Sequence, residues 1–236
     1  MVAVELGGVT AVPRGRLIGW LGLVGSLTAL NFAARYGGAG DTDQSDALYR
    51  YDTAIGGAFV YLALLGVTLL LARGLPKREV FALRTPSSWG SAVSLAAVGV
   101  VAVFAVNAAL VAGLGLSPGE EQGFTPDSWQ PEHAGAYAAN VVVVGLFAPV
   151  VEELLYRGLG YWALAGVAGA TVALIGTAVL FGLAHGLVIG LLPLVTFGLV
   201  AGYLRRRTGS VYPSMVMHML FNSAALILAV TVEAEL

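Results

Sequence analysis

The chain has 236 residues, of which 58% are hydrophobic and 11% charged, with a net charge of −2. Soluble domains carry about 25% charged residues, so this composition excludes an ordinary water-soluble domain. No basic patch with interleaved aromatics is present, which excludes nucleic acid as a partner, and the absence of cysteine excludes disulfides, a thiol nucleophile and cysteine-ligated metal.

Hydropathy divides the chain into seven predicted spans, each near the roughly 20 residues that cross a bilayer. A short tail, 1–16, precedes the first span, Leu17–Tyr36. That run is too long for a signal-peptide core and shows no small-residue cleavage site, so it reads as a retained span. A polar loop with Asp41, Asp43, Asp46, Arg50 and Asp52 leads to the second span, Ala54–Ala72. A basic loop holds Arg73, Lys77, Arg78 and Arg84, and Ser91–Leu116 is the third span. An acidic loop follows with Glu120, Glu121, Asp127, Glu132 and the solvated His133. The fourth span is Tyr137 to about Leu164, with a tight turn expected at Gly166–Ala170. The fifth is Ala170–His185 and the sixth Leu187–Leu204. Arg205 to Ser210 reads as a basic turn before the seventh, Pro213–Val232.

With seven spans the three basic segments fall on one side and the acidic loops on the other. The positive-inside rule then places the N-terminus in the cytoplasm of a cell-membrane protein. Gly182, Gly186, Gly190, Gly198 and Gly202 recur at spacings that let helices approach closely. No repeat or second domain is evident, so 1–236 reads as one all-α transmembrane domain around an intramembrane cavity.

The fourth span carries Pro149, Glu152, Glu153 and Arg157. Charges at such a depth cost roughly 2.5–3.5 kcal/mol each on insertion scales and mark functional candidates. Glu153 and Arg157, four apart, share a helix face and pair. Glu152 is turned by about 100° and stays free for chemistry. Pro149 lacks an N–H and disturbs the helix one turn earlier. His185 shares a face with Phe181, and His218 with Asn222. At about 1.5 Å per residue, Glu152, His185, His218 and Asn222 are expected to meet near the middle of the membrane in a water-holding cavity. A glutamate, two histidines and an asparagine suit hydrolysis. Glu152 serves as general base, His185 helps hold the water, and His218 with Asn222 donates to an oxyanion. The other chemistry open to this set is zinc hydrolysis through Glu152, His185 and His218.

Glu152-Glu153-x-x-x-Arg157, Phe181-x-x-x-His185 and His218-x-x-x-Asn222 together resemble the motifs of the CAAX-protease and bacteriocin-processing (Abi) family of intramembrane proteases. The resemblance extends over about 137–226 and includes branches of the type 2 CAAX prenyl endopeptidase kind. It implies cleavage of peptide or membrane-protein substrates at the lipid bilayer, possible prenylation of those substrates, and catalysis by Glu152, His185, His218 and Asn222. Glu153, Arg157 and Phe181 then support the site. The family resemblance also favours a metal-free, glutamate-activated reaction without a cofactor, with a zinc enzyme or a non-catalytic scaffold or immunity protein as alternatives. A small transporter would show internal repeat symmetry, which is absent.

Overall fold

The computed structural model describes residues 13–37, 46–115, 121, 126 and 128–231. The expectations for residues 1–12, Asp41, Asp43, Leu116, Glu120, Asp127 and Val232 lie outside these. The described chain is helical throughout: α1 (Arg14–Tyr36), α2 (Tyr51–Leu71), a short α3 (Lys77–Val80), α4 (Trp89–Leu114), α5 (Pro131–Ala168), α6 (Ala170–Ala184), α7 (Leu191–Thr208) and α8 (Tyr212–Thr231). The seven long helices fall close to the seven predicted spans.

Five of them, α1, α2, α4, α5 and α8, are long and apolar enough to cross a membrane. The α6–α7 hairpin differs from the expected pair of full spans. The 15 residues of α6 cover about 22 Å, short of the ~30 Å hydrocarbon core. The three arginines that read as a turn belong to the last turn of α7, which Gly209 ends in the left-handed region at φ 69°. Glycine carries no Cβ penalty there. Likewise α5 continues to Ala168, and only Gly169, at φ 87°, makes the turn expected over Gly166–Ala170.

The interior is built on α5, whose Leu155, Leu159 and Trp162 are buried against Trp20 of α1, Phe181 of α6 and Phe197 of α7. The opposite surfaces present Ile18, Phe59, Val98 and Leu220 outward, as lipid-facing helices do. Gly198 lies where an added Cβ would come within 2.8 Å of Ala178 Cα, so α6 and α7 touch backbone to backbone. Gly186 and Gly190 sit in the turn between these helices, where Gly186 packs on the backbone of α1 at Asn31, 2.8 Å from where its Cβ would be, and Gly190 meets only Leu187 of the same turn.

The basic segments gather at one end. Arg16 donates to the Arg73 carbonyl at 2.8 Å, and Val211 N–H to the Ala82 carbonyl at 3.2 Å. The segment 73–84 is more than a solvated loop. Its Val80, Phe81 and Ala82 are buried, and Phe81 packs against Gly158 so closely that a Cβ there would meet its ring at 2.7 Å. The opposite end joins Tyr36 to Glu121, Asp46 to Gln130 and Tyr49 to the Ser128 carbonyl.

Candidate active site

Helix α5 is not uniformly α-helical. Val141–Phe147 and Leu154–Gly160 are π-helical and bracket the α-helical Ala148–Glu153 that carries both glutamates. Such insertions free backbone carbonyls, and each one here is met by a side chain. Ala148 N–H bonds the Val143 carbonyl five residues back. In that register the next donor would be residue 149, but proline has none. Asn222 Nδ2 fills the gap and donates to the Val144 carbonyl at 3.0 Å. At the end of the second segment Tyr161 N–H reaches the Tyr156 and Gly158 carbonyls and passes over Arg157. The Arg157 carbonyl accepts instead from Arg205 Nε at 3.2 Å.

The widened helix turns the two glutamates to different partners. Glu153 and Arg157 are fully buried, with Arg157 Nη1 at 3.0 Å from Glu153 Oε1. The guanidinium stacks over the Phe181 ring at 4.5 Å and donates to the Gly198 carbonyl at 3.3 Å. Glu153 Oε1 also lies 3.1 Å from His218 Nδ1. A carboxylate only accepts, so Nδ1 carries the proton and Nε2 points away from Glu153. Nε2 stands 3.7 Å from Glu152 Oε2. The other oxygen of Glu152, Oε1, accepts from the Tyr61 hydroxyl at 3.0 Å.

The remaining predicted residues line the neighbouring helices. Phe181 is buried at the centre of the group, with ring centroids 4.6 Å from His185, 5.8 Å from His218 and 5.8 Å from Phe197. His185 follows the last residue of the short α6, and its Nδ1 lies 2.7 Å from the Phe181 carbonyl. A carbonyl cannot donate, so this nitrogen holds the proton and Nε2 presents its lone pair. Asn31 of α1 anchors the same helix end through the Ala184 carbonyl at 2.6 Å. The structure thus joins Glu152, Glu153, Arg157 and His218 directly. It links His185 to them through Phe181, and Asn222 through the backbone of α5. His133 is exposed at the start of α5, as expected of a surface residue.

Two contributors escaped the sequence reading. Tyr61 sits alone in an apolar stretch of α2, and its one signal was a phenol where a lipid-facing helix has no use for a hydroxyl. Arg205 was hidden in a run of three arginines, yet it is buried over the Tyr161 ring at 5.3 Å while Arg206 is exposed. As a zinc site the donors fit poorly. Among the described residues no three His, Cys, Asp or Glu side chains converge as ligands.

This arrangement supplies a carboxylate, two oriented imidazoles and an amide, the kinds of group that peptide hydrolysis by water uses. No curated protein and no solved structure matches the chain. The family model described as type II CAAX prenyl endopeptidase, Rce1-like, matches residues 134–224, about two-fifths of the sequence. That stretch holds both π segments, all three motifs and Arg205, and it nearly coincides with the 137–226 over which the motifs were read. Residues 134–224 therefore resemble the Rce1-like family of type II CAAX prenyl endopeptidases.

Proposed function

We propose that the protein hydrolyses peptide bonds of membrane-associated, CAAX-type substrates with a water activated by Glu152, without a metal or other cofactor, and that the whole chain is one transmembrane domain around this site. The observation that carries the reading is the unequal treatment of two adjacent carboxylates. Glu153 is sealed against Arg157 and orients His218, whereas Glu152 is 14% exposed and has one oxygen beside His218 Nε2. Glu152 takes a proton from water as the water oxygen attacks the substrate carbonyl, and later delivers it to the leaving amine. His185 Nε2 accepts a hydrogen from the same water. An imidazolium at His218 brings the charges of Glu152, Glu153, Arg157 and His218 to zero and offers Nε2–H to the oxyanion. Asn222 has a second N–H left after serving Val144, and this is available to the same oxyanion.

The test is cleavage of a prenylated CAAX peptide, and of its unprenylated counterpart, by purified protein in detergent, with product masses recorded. Cleavage that persists after exhaustive chelation supports the metal-free reading. Stoichiometric zinc whose removal stops cleavage and whose return restores it contradicts that reading. An intact peptide throughout favours a non-catalytic scaffold.

A further inference from the structure

Tyr61 lies on α2, outside the matched region, and no motif includes it. We propose that Tyr61 is a positioning residue that holds one oxygen of Glu152 and so selects the other as the base. The inference rests on the reading of Glu152 as general base.

Tyr61 is placed for this by its helix. Its neighbours Phe59, Val60 and Leu62 are exposed on the apolar surface, whereas Tyr61 turns inward to α5. Gly57, one turn earlier, lets α2 close on the first π segment, since a Cβ there would come within 3.3 Å of Val143. Phe147, the last residue of that segment, meets the Tyr61 ring edge-on with centroids 6.3 Å apart. A phenol hydroxyl at this depth costs stability unless it is hydrogen-bonded, and its partner is Glu152 Oε1 at 3.0 Å.

The direction of this bond has a chemical consequence. Glu152 Oε1 accepts the Tyr61 hydroxyl and is thereby the poorer base of the two. Oε2 remains, on the side of His218 Nε2. The water O–H bond therefore breaks toward Oε2 as the new C–O bond forms, and the proton passes from Oε2 to the amine nitrogen as the C–N bond breaks. The other groups around Glu152 are His218 of α8 and Glu153, Tyr156 and Arg157 of α5 itself, and Tyr61→Phe leaves all four in place.

The experiment compares wild type, Tyr61→Phe and Glu152→Gln in the same detergent. In Tyr61→Phe, kcat is expected to fall about tenfold or more while KM stays within about twofold, since a hydrogen bond to a charged group is lost. Losing the donor disfavours the ionised base, so the acid limb of the kcat profile moves up by about one pH unit. Infrared titration reads the same shift without substrate, from the protonated-carboxyl band that Glu152→Gln removes. Unchanged kcat and an unchanged limb in Tyr61→Phe, with Glu152→Gln inactive, overturn the role of Tyr61 and leave the base assignment standing. A loss of thermal stability without either shift also overturns it, because that is what mere packing gives. Cleavage by Glu152→Gln at the wild-type rate overturns both readings together.

Discussion

Glu153 and Arg157 are fully buried and paired with each other, and Glu153 also meets His218. Breaking such a pair costs about 3–5 kcal/mol, because the survivor stays buried and unpaired. Glu153→Gln is therefore expected to lower the melting temperature of the detergent-solubilised protein sharply and to free His218 from its orientation. A variant as stable as wild type would contradict the buried pair. Glu152→Gln is expected to melt near wild type, since the amide oxygen still accepts from Tyr61. The pairing of Glu153 with Arg157 was legible from their four-residue spacing. That Glu153 also holds His218 was not, because a contact between residues 65 positions apart leaves no local pattern.

The element that sets this geometry is α5 with its two π segments. Hydropathy reads such a helix as one continuous run, because the residue types are the same whether the ring closes over four residues or five. Pro149 hinted at the first irregularity, and nothing marked the second, where Arg205 serves the Arg157 carbonyl. The role of Asn222 at Val144 can be separated from any role on an oxyanion. Asn222→Ala leaves the Val144 carbonyl without a donor and is expected to cost about 1–3 kcal/mol. Pro149→Ala returns a backbone N–H in the register that reaches Val144, so the cost of Asn222→Ala should largely vanish on that background. Urea or thermal unfolding of the four proteins of this cycle measures the coupling. A cost that Pro149→Ala leaves unchanged would contradict the register. If Asn222 also donates to the oxyanion, its loss of turnover remains in the double variant.

Across the whole molecule, the basic segments lie at one end and the tie between α1, Glu121 and the α6–α7 turn at the other. By the positive-inside rule the basic end is expected on the cytoplasmic side. Because the chain has no cysteine, single cysteines can be introduced cleanly. An impermeant thiol reagent applied outside is expected to label sites near Asp43 and Asp127 but not near Lys77, and labelling at Lys77 would reverse the orientation. At the end away from the basic segments Glu121 accepts from Val188 and Gly190 N–H and from the Tyr36 hydroxyl, each at 2.7 Å. Burial pushes this carboxyl up, but the Gly190 amide, the Tyr36 hydroxyl and the Val188 amide outweigh it and hold the group below its ordinary value. Its stabilising contribution is thus present above the ordinary carboxylate range and lost as pH falls through the depressed folded value. Melting temperature should drop over that interval in wild type and less in Glu121→Gln, and identical profiles would contradict the tie. The order and approximate bounds of the seven long helices were legible in the apolar runs, whereas the short α3 was not. The shortness of α6 and the inward turn of Tyr61 were not, since both depend on which helix packs beside which. The most direct measurement is single-turnover cleavage by Glu152→Gln, compared with wild type at equal folded concentration. Loss of the general base is expected to slow it by about 10²–10⁴-fold, and a rate near wild type would contradict the assignment of Glu152.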